Sequence, residues 1–183
     1  MNLILSALIA LAFAGAPNLQ KPPVPALKPL PVVGVETLKT MIPDAAGWTR
    51  GATVSDVVRV SDDTGYSFVT SEFTNESSKI RLTIGDTFGA GDCLMALAAM
   101  ISVLPDGYSE KPAPATSIMR FAYQGFEAAS KWNTDKLSGE FSVLVDGRFV
   151  VKAEGEGVDT LDTLKAFASK VDFKKLAELK AGK

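Results

Sequence analysis

Histidine is absent from this 183-residue chain, and cysteine occurs once, at Cys93. Without histidine there is no Ser–His–Asp triad, no imidazole general base, no HExxH zinc site and no histidine-ligated haem. A lone cysteine forms neither an internal disulfide nor a thiolate metal cluster. An excess of one charge is also missing, since 19 Lys+Arg against 21 Asp+Glu leave a formal net charge of −2. Nothing in that balance draws the chain toward nucleic acid or an anionic membrane. The chemistry that remains is that of carboxylates, lysines, hydroxyls and backbone, and no cofactor is called for.

What is present sits in the globular range: 46% hydrophobic and 22% charged residues, at a length that suits one domain with a real core. The apolar run Leu3–Ala14 falls short of the ~20 residues of a bilayer span. It closes on Ala12-Phe13-Ala14, the small-x-small form of a signal-peptidase site. Residues 1–14 are therefore read as a signal peptide, although no Lys or Arg precedes the run. The expected location is periplasmic or extracellular, with no integral membrane span after cleavage. Residues 15–34 hold six prolines between Pro17 and Pro31 and read as a semi-rigid polyproline II spacer. Residues 35–183 form the expected single domain.

Within it, Val35–Met41 reads as a short helix stopped by Pro43, and Trp48 as a cover for one edge of the core. Thr53–Val60, Tyr66–Thr74 and Lys79–Gly85 have the composition and flanking turns of strands. The apolar segment Cys93–Leu104 reads as a helix ended by Pro105, and Lys111–Ala115 as a proline-broken loop. Ser117–Gln124 and Phe126–Asn133 are two further strands. Glu140–Val145 and Arg148–Glu154 flank Asp146-Gly147, the strongest short-range hairpin signal, because a type I′ turn needs positive φ at both central residues. A two-residue turn sets Val145 opposite Arg148, Leu144 opposite Phe149 and Val143 opposite Val150. In that register both faces carry apolar residues, which predicts cover on both sides of the hairpin. Asp159 or Thr160 caps a helix carrying Leu161, Leu164, Ala168 and Val171, and Asp172 caps a last one burying Phe173, Leu176 and Leu179. The order of elements gives an α+β domain on a largely antiparallel sheet with helices packed on both faces.

Asp86-Thr87-Phe88-Gly89-Ala90-Gly91-Asp92 resembles the DTxGAGD signature of the ribokinase-like sugar kinases. That resemblance would make Asp92 the base on a sugar hydroxyl, with the amides of Gly89, Ala90 and Gly91 as an anion hole. The family's domain is about twice as long and built of repeated βαβ units, which this sequence lacks. The favoured reading is a glycine-rich turn with Asp92 as a helix N-cap, and at most an anion-binding site at Gly89–Asp92. Cys93 reads as a small core residue. The strip Glu154, Glu156, Asp159 and Asp162 has the residue types for acid–base work, but the later two lie in a helix's first turn, where the dipole explains them. Tyr66, Phe68, Phe73, Phe121, Tyr123, Phe126 and Trp132 fall on strands, as core or as the lining of an apolar pocket.

Gly47-Trp48-Thr49-Arg50, Gly125-Phe126-Glu127-Ala128 and the stretch from Ser138-Gly139-Glu140 to Val158-Asp159 resemble a family of uncharacterised bacterial exported proteins, over roughly Leu38 to Leu179. More remotely, a sheet with helices on both sides is similar to the Mog1/PsbP-like α/β/α sandwich, a group of binding and assembly factors. The resemblance carries over no functional residue. It implies an exported, non-enzymatic binding or assembly-support domain, whose partner is a protein or a small apolar ligand.

Overall fold

A computed structural model describes residues 32–61, 64–87, 109–113 and 115–179. After the short helix α1 (Val35–Lys39) come three strands, β1 (Thr49–Arg59), β2 (Gly65–Asn75) and β3 (Ser78–Asp86). Five more follow: β4 (Ser109–Ala113), β5 (Thr116–Tyr123), β6 (Phe126–Asn133), β7 (Ser138–Val145) and β8 (Phe149–Glu156). Helices α2 (Leu161–Ala168) and α3 (Phe173–Ala177) close the described chain. The strands make one sheet in the order β1-β2-β3-β8-β7-β6-β5-β4, and each of the seven neighbouring pairs is antiparallel. Two meanders, β1–β3 and β4–β8, thus meet where β3 lies beside β8. The protein is an α+β domain on an antiparallel sheet, as its sequence predicts. The predicted helix Cys93–Leu104, the predicted signal segment and residues 15–31 of the predicted linker lie outside the described residues, whereas Val32 and Val33, at the end of that linker, are buried with the domain.

The β7–β8 hairpin forms where predicted, but its register does not. Asp146 (φ 52°) and Gly147 (φ 62°) take the left-handed conformation the turn demands, and Arg148 N–H donates to Val145 O at 3.1 Å. The ladder nevertheless pairs Val145 with Phe149, Leu144 with Val150 and Val143 with Val151. Arg148 has been expelled because it is engaged elsewhere. Its carbonyl accepts the Thr87 N–H (3.1 Å) and the Thr87 hydroxyl (2.7 Å). Its guanidinium grips Asp86 with two bonds, Nε to Oδ1 at 2.9 Å and a terminal nitrogen to Oδ2 at 2.7 Å. Gln124-Gly125 shows the contrast: the same left-handed pair there closes a two-residue turn, with Tyr123 directly opposite Phe126.

A one-residue slip moves every side chain of a strand to the other face. The observed register therefore sorts the hairpin into Phe141, Val143, Val145, Phe149, Val151 and Ala153 on one face, all at most 1% exposed. Glu140, Ser142, Leu144, Val150, Lys152 and Glu154 fall on the other. The first face is wholly apolar; the second is polar at Glu140, Lys152 and Glu154 but still carries Leu144 and the buried Val150 and Ser142, a sharper sorting than the two mixed faces that a two-residue turn predicts. The apolar face continues through Ala128 and Trp132 on one side, and through Ile80, Leu82, Ile84, Val69 and Phe73 on the other.

All three described helices contribute to the single core on this face. Thr160 caps α2 by accepting the Thr163 N–H, and Asp172 caps α3 by accepting the Lys175 N–H. Leu164, Phe167 and Leu176 are then buried, each side chain worth about 1.5–3 kcal/mol on leaving water. Phe167 meets Phe73 edge-on at 4.7 Å and Trp48 at 5.5 Å, which sets Trp48 against the core as expected. Phe126 meets Phe173, and Tyr123 meets Phe141. The segment Lys111–Ala115, predicted to be a loop, contributes to β4, because an edge strand tolerates proline where a central one does not.

The chain before α1 is fixed by the same ion pair that sets the hairpin. Asp86 is wholly buried, and its Oδ2 accepts the Val33 N–H at 2.7 Å while Ser67 donates to the Val33 carbonyl at 2.7 Å. Removing one partner of a buried pair leaves a charge without its counter-charge, at a cost of about 3–5 kcal/mol. Arg148→Met is expected to lower the unfolding free energy by ~3 kcal/mol with an unchanged denaturant slope. Urea unfolding checks this, and a loss under ~1 kcal/mol would remove Asp86–Arg148 from its central place.

Candidate functional site on the polar face

The polar face is organised in rows, because each antiparallel pairing sets one residue directly beside another. One row runs Glu72, Arg81, Glu154, Glu140, Lys131, from β2 across β3, β8 and β7 to β6. The next, toward the sheet's end, runs Thr74, Lys79, Glu156, Ser138, Asn133, Thr116. Strand alternation alone keeps these side chains off the core.

Their charges are mostly paired. Lys79 lies 2.6 Å from Glu72. Lys152 reaches Glu154 at 2.7 Å and Glu140 at 3.1 Å, joining two carboxylates that stand opposite each other on adjacent strands. Burial works against the charged form of Lys152. The hydrogen bonds and Coulombic attraction of Glu154 and Glu140 together outweigh it and hold its pKa above the usual 10.5. Lys131 and Lys136 differ: neither has a carboxylate partner among the described residues.

Between the rows lie two adjoining hollows of about 260 and 430 Å³. They share Ser138, Gly139 and Glu154, and so form one groove across the ends of the strands. Lys79, Arg81 and Glu156 line the first; Lys131, Lys136 and Asn133 line the second. Asn133 is held in place, accepting the Lys136 N–H at 2.8 Å and donating to the Thr116 hydroxyl at 2.9 Å. Gly139 is required in the floor, since a Cβ there would strike the Lys131 carbonyl and the Trp132 ring. Among the described residues, no aromatic side chain lines either hollow. With two ammonium groups that have no carboxylate partner among the described residues, beside amide and hydroxyl donors, the larger hollow offers acceptor-rich groups, carboxylates above all, a place to bind.

The residues singled out in the sequence are distributed differently. Gly89, Ala90, Gly91, Asp92 and Cys93 lie outside the described residues, and Asp86, which opens that motif, serves the buried ion pair. In the acidic strip, Glu154 pairs with Lys152 and Asp162 with Lys165, each within its own element, as expected of helix-end and strand-face charges rather than of an acid–base pair. Of the strand aromatics, Phe73, Phe121, Tyr123, Phe126 and Trp132 belong to or pack on the core. Tyr66 and Phe68 point to the polar face. Among the described residues, no group of three Cys, Asp or Glu could hold a metal ion, and no helix is long and apolar enough to cross a membrane. Lys131, Lys136 and Asn133 were not predicted. Asn133 and Lys136 are marked in the sequence only by Asn133-Thr134-Asp135-Lys136, a turn between two strands, and Lys131 only by its place in β6.

This arrangement defines the chain as an α+β protein with an antiparallel sheet, one apolar face under helices and a grooved polar face. Searches among family models, curated proteins and solved structures find no match for it.

Lys152→Met would leave Glu140 and Glu154 facing each other without the ammonium between them. A loss of ~1–2 kcal/mol at neutral pH is expected. A raised folded-state pKa contributes stability that is complete below the unfolded value of 10.5 and disappears as pH rises through the higher folded value. The stability gap between wild type and variant should therefore be constant from pH 7 to 9 and close above about 10.5. Chemical unfolding across that range measures it, and a gap that widens with alkalinity would refute the assignment.

Proposed function

We propose that this chain is an exported, non-enzymatic binding or assembly-support domain whose groove receives a partner protein through exposed carboxylates. The observation that carries the reading is the contrast between the two sides of the sheet. On the helix side, aromatic rings fill the space by packing on one another, and the hollows on the other side are polar. That contrast speaks for a protein surface as ligand over the small apolar molecule that is the second expectation. Nucleic acid is not a proposed partner, since the groove mixes both signs of charge.

The reading includes the periplasmic or extracellular location implied by residues 1–14, and the spacer role of residues 15–31; Val32 and Val33, at the end of the expected linker, are buried with the domain instead. It also includes the finer architecture, helices on both faces, in the manner of Mog1/PsbP-like proteins and the exported family the sequence resembles. Val150 and Ala129 support a second layer, because they are 1% and 4% exposed on the polar face yet stand outside the core cluster.

Native mass spectrometry of protein purified from its own source tests the proposal. A retained protein partner is expected, with Lys131→Gln/Lys136→Gln weakening its capture at least ~10-fold and leaving the melting temperature in place. A retained small apolar molecule would favour the carrier instead. ATP-dependent phosphorylation of a sugar, lost in Asp92→Ala, would replace both with a kinase at Gly89–Asp92.

A further inference from the structure

The two edges of the sheet are treated in opposite ways. β4 is blunted as natural edges are: five residues, a proline at 112 and a register shift between Glu110 and Ala113. β1, the other edge, has eleven residues and no proline, and its irregularity is confined to the stretch between Arg50 and Thr53. Three of the four exposed large hydrophobic side chains among the described residues lie on it or directly after it: Val54 (63%), Val57 (45%) and Val60 (55%).

Backbone alternation fixes what this edge offers. The Val60 N–H bonds to Thr64 O in the turn toward β2, so the odd-numbered Thr53, Ser55 and Val57 turn their N–H and C=O groups away from β2. The Val57 N–H is folded back onto its neighbour, the Asp56 carboxylate, at 2.7 Å.

We propose that β1 is a self-association edge, at which two copies of this chain pair antiparallel about a two-fold axis at Val57 and join their sheets into one. In this register Val57 lies opposite Val57 of the second copy, Val54 opposite its Val60, and Ser55 opposite its Arg59. Every exposed valine meets a valine, and no like charges stand opposite. Moving the pairing by one step toward the N-terminus would set Asp56 against its own copy, which is destabilising. Moving it two steps sets Arg59 against Gly51, inside the irregular stretch. Pairings of odd with even residues fail, because the even-numbered groups already serve β2. On association the Val57 N–H exchanges the Asp56 carboxylate for the carbonyl of Val57 in the second copy. The pairing uses no groove residue, so it stands or falls apart from the proposed function.

Sedimentation of the full chain over a wide concentration range should show the mass doubling as concentration rises. Val57→Lys should remain monomeric with an unchanged melting temperature. The register is tested by oxidation in a Cys93→Ser background. Directly opposed hydrogen-bonded residues have Cα atoms about 5.5 Å apart, within disulfide reach, so Val57→Cys should give a covalent dimer. Val54→Cys alone should give about tenfold less, and Val54→Cys/Val60→Cys should restore the yield, since disulfide formation depends on that spacing. A monomer at every concentration, an open-ended polymer, a dimer indifferent to Val57→Lys, or equal crosslinking through residues 54 and 57 would each overturn the proposal.

Discussion

Asp86 is a carboxylate removed from water, and a buried charge persists only when paired and hydrogen-bonded. Here the partner is Arg148, and the geometry of their two-pronged contact decides more than its own energy. To reach Asp86, Arg148 must leave the β7–β8 ladder, so a turn that would close over two residues spans three. That single expelled residue sets the side of the sheet on which each residue of β8 falls. The same carboxylate holds Val33 and so fixes where the chain enters α1. One ion pair thus couples the joint between the two meanders, the register of the central hairpin and the start of the domain.

Once the register is set, the two faces acquire different physical characters. The inner one is a closed hydrophobic surface in which even the hydroxyls of Ser67 and Ser71 are spoken for, by Val33 and Thr53. Ser130 is an exception, its hydroxyl buried without a partner among the described residues. The outer face carries charges on a rigid grid, its rows spaced by strand geometry and its carboxylates largely neutralised by neighbouring lysines. The groove's character comes from Lys131 and Lys136, which no carboxylate among the described residues neutralises. A rigid sheet presents such groups with no backbone left to order on binding, so that only the lysine side chains lose freedom.

Much of the fold was legible in the sequence, since local chemistry and tertiary demand agreed. Phe126–Asn133 was bounded correctly because Gly125 and Asn133-Thr134 punctuate it; Asp172 was readable as a cap, and Thr160 as one of two candidates with Asp159, because a short oxygen side chain before an apolar run has one favourable use. β4 was not, because Pro112 speaks against a strand until the strand is known to be an edge. The groove was not legible either. Lys131, Lys136 and Asn133 become a site only when β6 lies beside β7 and Glu140 has been claimed by Lys152.

By itself the sequence determined the class of the domain, the position of its turns and the exclusion of histidine-dependent chemistry, because each depends on residue type or on neighbours a few positions away. Tertiary structure alone decided the hairpin's register, the sorting of side chains to two faces and the choice of which lysines meet a carboxylate. Asp86 and Arg148 lie 62 positions apart. No periodicity within either segment records that they meet, and the meeting shifts the register from the one local turn chemistry prefers.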